Sequence, residues 1–290
     1  MRIITCLKQT INPSDVSSEF ENHKPPAAHI VNPDDRIALE KALELRSILK
    51  GSKVVALTVG PLAAREVLSF ALARGCDSAI HLQDDIFRTA DGYSTALAIS
   101  KTIERMAFSL IICGKESLDT NAGFVPTALA EMMNIPVVNS VIKIEGISPK
   151  KVRVLRRLDK GNRQIIDCKL PAVLSIDPLS GESRYVPLFA LKQAVNNDIQ
   201  KLTLADIGLQ QSDIARESIF VELLALTPPK PRSKRVVDAN RDGSLSQRLS
   251  CLFSGETSKK ERKEVLQGEK GYLSDCILKY LVNNGLLTER

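Results

Sequence analysis

Residues 54–59, Val-Val-Ala-Leu-Thr-Val, form an apolar run without alternation. A strand wetted on one face alternates polar and apolar residues, so a run like this has to be covered on both faces. Three similar runs, 3–7, 78–82 and 108–113, are separated by stretches of helical period. Asn32-Pro33-Asp34-Asp35 opens the first of these with carboxylates where a helix dipole favours them. Ala38, Ala42, Leu45 and Leu49 then make a core-facing stripe that ends at Gly51. A second helix runs through Arg65, Leu68 and Leu72 to Gly75, and a third covers 93–107. Strands buried on both faces and alternating with helices predict an α/β fold, a doubly wound and mostly parallel sheet.

After Pro136 the pattern changes. Segments 137–145, 151–159 and 163–169 read as strands joined by polar turns, an antiparallel meander appended to the sheet. Residues 170–176 read as a last buried strand. From Asp177 the chain becomes tail-like, which gives a nucleotide-binding type α/β domain at 1–195 and an extended C-terminal arm at 196–290. The arm contains a Pro-rich break at 227–231 and ends in an amphipathic helix at 272–287, with Leu273, Ile277, Tyr280 and Leu281 on one side. An arm with one helix and no core of its own implies a partner chain.

Several chemistries find no support. The six cysteines form no CxxC pair, so zinc and iron–sulfur ligation are not indicated and the thiols read as reduced. His23, His29 and His81 sit beside no catalytic motif, and His81 reads as a strand residue. No metal ligands and no catalytic acid, base or nucleophile are identified. No apolar run approaches the roughly 18–20 residues of a membrane span, and the first residues read as a strand rather than a signal peptide, so the expected location is cytoplasmic. The net charge is +6, and residues 230–270 hold eleven Lys or Arg against six Asp or Glu. That basic insertion reads as a solvated linker or as a contact for an acidic partner. With aromatics at 4% and no nucleic-acid motif, nucleic acid is not the expected partner.

Residues 113–136, CGKESLDTNAGFVPTALAEMMNIP, follow a buried strand and lead into an amphipathic helix. Strand, polar loop and helix start in that order present backbone N–H groups to a phosphate. Asp119 or Asn121 could cap the helix, while Ala122 and Gly123 allow a close backbone approach. A tight turn without a ligand is the plain alternative.

Five segments in register resemble the beta subunit of an electron transfer flavoprotein. They are Ile4-Thr5-Cys6-Leu7-Lys8-Gln9, Val31-Asn32-Pro33-Asp34-Asp35, Val59-Gly60-Pro61 with the Gly75-Cys76-Asp77 strand entry, Cys113-Gly114-Lys115-Glu116-Ser117-Leu118-Asp119, and Leu170-Pro171-Ala172-Val173 with Glu182-Ser183-Arg184-Tyr185. The resemblance covers roughly residues 1–195 and implies an adenine-nucleotide α/β fold. It implies a heterodimer with an alpha subunit whose FAD site the beta chain completes, and AMP or a second FAD in the beta pocket. The implied role is to carry electrons from a dehydrogenase, docked at a loop whose anchor here is Leu188, to a quinone-linked acceptor. The implied cofactor-binding residues are Cys6, Asn32, Val59, Gly114, Asp119, Asn121, Ala122, Gly123 and Val125.

Three positions depart from the family pattern. Phe124 stands where the family has Gln, Asn121 replaces its second Asp, and Pro126 lacks an N–H. They motivate a second reading, a divergent paralogue that keeps the fold as an interaction or scaffold protein without a beta nucleotide. An ATP-using hydrolase or ligase of similar fold would need a Ser-Gly-Gly phosphate loop near the first strand, and none is there.

Overall fold

The computed structural model describes residues 1–12, 28–195, 197–214, 220–221 and 270–283. The chain forms two compact units, Met1–Pro229 and Lys230–Arg290. In the second, the described part is one helix, Lys270–Asn283.

The first unit is built on a nine-stranded sheet. Its centre holds β1 (Arg2–Cys6), β4 (Lys53–Gly60), β5 (Ser78–Gln83), β6 (Leu110–Gly114) and β10 (Ala172–Ile176). Beyond β10 lie β7 (Val137–Ile147), β8 (Lys151–Arg157) and β9 (Arg163–Lys169), and beyond β5 lies β11 (Gln200–Leu202). The order is β11-β5-β4-β1-β6-β10-β7-β8-β9. Neighbours from β11 to β7 are parallel, and the pairs β7–β8 and β8–β9 are antiparallel. The mostly parallel α/β sheet with an appended meander is as the sequence predicts.

Helices α1 (Pro33–Ile48) and α2 (Arg65–Arg74) cover one face, packing on Ile3, Val54, Ala56, Leu110 and Leu174. Helices α3 (Gly92–Glu104) and α4 (Phe124–Met132) cover the other, on Ile4, Val55, Leu57, Ile111 and Val173. Successive residues of one strand thus enter opposite cores, which explains the runs without alternation. The chain leaves β1 for β4 and β5 on one side, then returns to β6 on the other. That reversal opens a crevice beyond the carboxyl ends of β1 and β6.

Two stretches differ from expectation. Between β1 and α1, where no strand was expected, β2 (Gln9–Ile11) and β3 (His29–Val31) pair antiparallel. Three-residue strands carry no readable period. After Asp177 the chain is not simply tail-like. It forms α5 (Leu188–Val195), and β11 pairs parallel with β5. Leu204, Ile207 and Ile214 then bury beside Leu82 and Ala98. Residues 197–214, placed by sequence in the arm, therefore add to the sheet and core. The polar strand Gln-Lys-Leu is ordered by the edge of β5, not by its own pattern. The Pro-rich break, and the basic insertion apart from its last residue, Lys270, lie outside the described residues.

Candidate functional site

The start of α1 is bolted to the loop after β6. Asp35, buried at the crevice, accepts the Lys8 N–H at 2.8 Å and the Gly114 N–H at 3.1 Å. Asn32 donates its amide to Glu116 O at 2.8 Å and accepts the Leu118 N–H at 3.1 Å. Asp34 accepts the Glu116 N–H at 3.1 Å. Burial pushes the Asp35 carboxyl up to about 7, against the hydrogen bonds it accepts. Burial also raises Asp34, and the charges of Glu116 and Asp177 add to that. The two carboxylates thus do more than favour the helix dipole, and Asn32 turns its side chain to the loop instead of capping its own helix.

Beyond these bolts the loop faces the crevice. Lys8 Nζ lies 2.7 Å from Asp119 Oδ1 and 3.3 Å from Ser117 Oγ. Burial opposes ionisation of Asp119, but the Lys8 bond and charge outweigh it and hold the carboxyl below its usual range. Asn121 has φ of 50° and Gly123 φ of 58°, so the loop turns through left-handed backbone into α4. No side chain caps α4, and Pro126 in its first turn has no N–H to offer. Pro126 is buried, and Phe124, half exposed, rests against Gly92 at the start of α3.

The sequence-predicted residues fall into three groups. Asn32, Gly114, Asp119, Asn121, Ala122 and Gly123 come together around this loop. Cys6 and Val125 are turned into the core beneath it. The Cys6 thiol meets that of Cys113, and that hydrogen bond together with burial pushes Cys113 up. Val59 lies two strands from β6, packed against the Leu82 and Leu204 cluster. Sequence reasoning did not assign Lys8, Asp34 or Asp35 to the site. The Asn-Pro-Asp-Asp run was the available signal, but its partners lie about eighty positions away, as the Asp35–Gly114 separation of 79 shows.

A cleft of about 300 Å³ adjoins the loop, with Asp34, Lys115, Arg157 and Asp177 in its walls. Asp177 is buried, and its Oδ2 accepts no hydrogen bond. Lys115 Nζ stands 3.7 Å from it.

Leu188 lies elsewhere, at the start of α5, where it is 63% exposed beside exposed Phe189 and Tyr185. The segment leading to it is braced. Buried Glu40 pairs with buried Arg74 and with Arg184, and Arg74 also donates to Arg184 O and to Ser183 Oγ.

No helix among the described residues is long and apolar enough to cross a membrane. The electron transfer flavoprotein domain family matches residues 26–207. An electron transfer flavoprotein subunit beta of Thermoanaerobacterium thermosaccharolyticum is 34% identical over 201 residues, covering 69% of this chain and 76% of that one. Subunit CarD of a caffeyl-CoA reductase-Etf complex of Acetobacterium woodii is 30% identical, covering 72% and 80%. A subunit beta of Mycobacterium tuberculosis is 31% identical, covering 71% and 80%.

Proposed function

The chain belongs to the electron transfer flavoprotein family, alongside its beta subunits, and from that premise we propose that it is the beta half of a two-subunit electron carrier. In this reading it completes the FAD site of an alpha subunit and holds AMP or a second FAD in the switch-point crevice. The carrier works in the cytoplasm, a dehydrogenase delivers electrons to it at the Leu188 surface, and a quinone-linked acceptor receives them.

The observation that supports this most is the braced loop ending in the uncapped start of α4. The residues fit a nucleotide phosphate there. Gly123 leads into α4 through left-handed backbone, the start of α4 has no side-chain cap, and Lys8, paired with Asp119, supplies a cation beside the loop. Asn32, Asp34 and Asp35 fix the loop so that these groups are oriented in advance. Bound FAD would supply the redox chemistry itself. The chain's part is to position, to exclude water and to present Leu188.

A second reading is favoured by the Lys8–Asp119 pair and the Asn32 bonds, which hold the loop through protein groups alone. It is the paralogue without a beta nucleotide. Co-expression with an alpha subunit, followed by release and quantification of nucleotides, separates the two. One FAD with one AMP, or two FAD, supports the carrier. FAD alone moves the beta pocket to the second reading. No complex and no flavin overturns the proposal.

A further inference from the structure

Between residues 143 and 169 the chain carries nine Lys or Arg against three Asp or Glu, a surplus hidden when charge is read only at 230–270. The β8–β9 register sets Arg157 directly opposite Arg163, and Lys151 opposite Lys169. Like charges in such positions oppose folding. At Lys151 the repulsion is answered, because Asp167 accepts from Lys151 at 2.9 Å and from Arg153 at 2.6 Å. At the other end it is not. Arg157 reaches only Asp177, at 3.8 Å, too far for a hydrogen bond. Arg163, Lys143 and Lys160 make no ion pair among the described residues. Lys160 also holds φ of 56° in the connecting turn, a conformation that costs a non-glycine residue energy.

These four cations, against the single carboxylate of Asp159, line one cleft of about 560 Å³ with Leu155 and Leu158 in its walls. Its size and mixed lining suit a small ligand. We propose that the cleft binds a small organic phosphate, with the phosphate held by Arg157, Arg163, Lys160 and Lys143 and an apolar body resting on Leu155 and Leu158. One dianion offsets most of the surplus at a single place, and guanidinium groups bind phosphate through paired N–H donors. A carboxylate-rich peptide would instead match a stripe of cations. This site does not depend on the nucleotide reading of the crevice.

The test titrates the full-length protein with 1-naphthyl phosphate, followed by its fluorescence, and with inorganic phosphate as a charge-only probe. Sedimentation with phosphatidylcholine vesicles containing phosphatidic acid asks whether a lipid headgroup is the source. Saturable naphthyl phosphate binding, tighter than that of inorganic phosphate, is expected. Arg163→Glu should weaken it by about tenfold or more, as loss of a charge-assisted contact does. Lys169→Glu, outside the cleft, should leave it unchanged. Arg163→Glu converts the like-charged pair into an opposite one, so its melting temperature should not fall. Vesicle binding lost in Arg163→Glu would support the site and assign the phosphate to a lipid, while naphthyl phosphate binding without vesicle binding would assign it to a soluble ligand. No saturable binding of either probe, binding unchanged in Arg163→Glu, or displacement by a glutamate-rich peptide more readily than by phosphate would overturn the proposal.

Discussion

Asp35 accepts the N–H of Gly114 at 3.1 Å across 79 positions of sequence, tying the first turn of α1 to the end of β6. With the Lys8 N–H on its other oxygen, one buried carboxylate spans both strands of the switch point. The two strand ends that border the crevice are therefore held together by one buried side chain.

That carboxylate makes stability depend on pH in a defined direction. Its folded pKa, about 7, lies above the ordinary value for Asp. The folded state thus keeps a proton that the unfolded state releases, and the contribution of this group falls as pH rises from about 4 to about 7. Asp35→Asn resembles the protonated acid. Its stability relative to the native protein should shift in the mutant's favour across that window, by a few kcal/mol at most. Urea denaturation at several pH values reads the difference, and a pH-independent difference would refute the assignment.

Asn32→Ala removes two hydrogen bonds at once, to Glu116 O and from Leu118 N–H. Leaving these partly buried groups unpaired should cost about 1–3 kcal/mol. Amide exchange should quicken at residues 116–118 while the centre of β6 stays protected. Equal acceleration throughout the sheet would mean global destabilisation instead of a freed loop.

Gly114→Ala tests how tightly the bolt is drawn. A Cβ there would lie 2.3 Å from Asp35 Oδ1 and 2.8 Å from the Asp34 carbonyl carbon. Backbone cannot yield to such a contact cheaply, so soluble expression should collapse. Pairing it with Asp35→Ser, which removes the nearest atom, should recover only part of the loss because Asp34 backbone remains in the way. Native-like melting of Gly114→Ala would show that the two segments can move apart.

Glu40→Gln breaks a buried ionic cluster without changing its shape. Arg74 would lose its counter-ion in an environment that leaves its side chain 2% exposed. Removing one partner of a buried pair costs about 3–5 kcal/mol. Because Arg184 is held by the same carboxylate, limited proteolysis should also move to residues 183–187. A lower melting temperature with no new cleavage there would separate the cluster's role in stability from any role in presenting Leu188.

Much of the framework was readable from residue order. The run 54–59 required two covered faces, and Val54, Ala56 and Leu57 do enter opposite cores. The meander was visible because its turns carry Gly, Pro and Asn between β-rich segments. β11 was not visible. A three-residue strand contributes too few side chains for a period, and its order depends on the open edge of β5. Within the site, Gly123 stood out in the sequence as a place for close backbone approach, and the structure gives it φ of 58°, a conformation that favours glycine. Lys8 was not, because nothing local shows that its ammonium reaches Asp119, 111 positions later.

The sequence by itself determined which of the longer segments become strands and helices and which of their faces are buried. These follow from local periodicity and backbone sterics, and each acts within a few residues. Only the tertiary structure decided what Asn32, Asp34 and Asp35 hold, that Arg157 faces Arg163, and that residues 197–214 join the sheet. Those outcomes depend on strand order and register, which bring distant groups within hydrogen-bonding range. Burial then sets how strongly the charges among them interact.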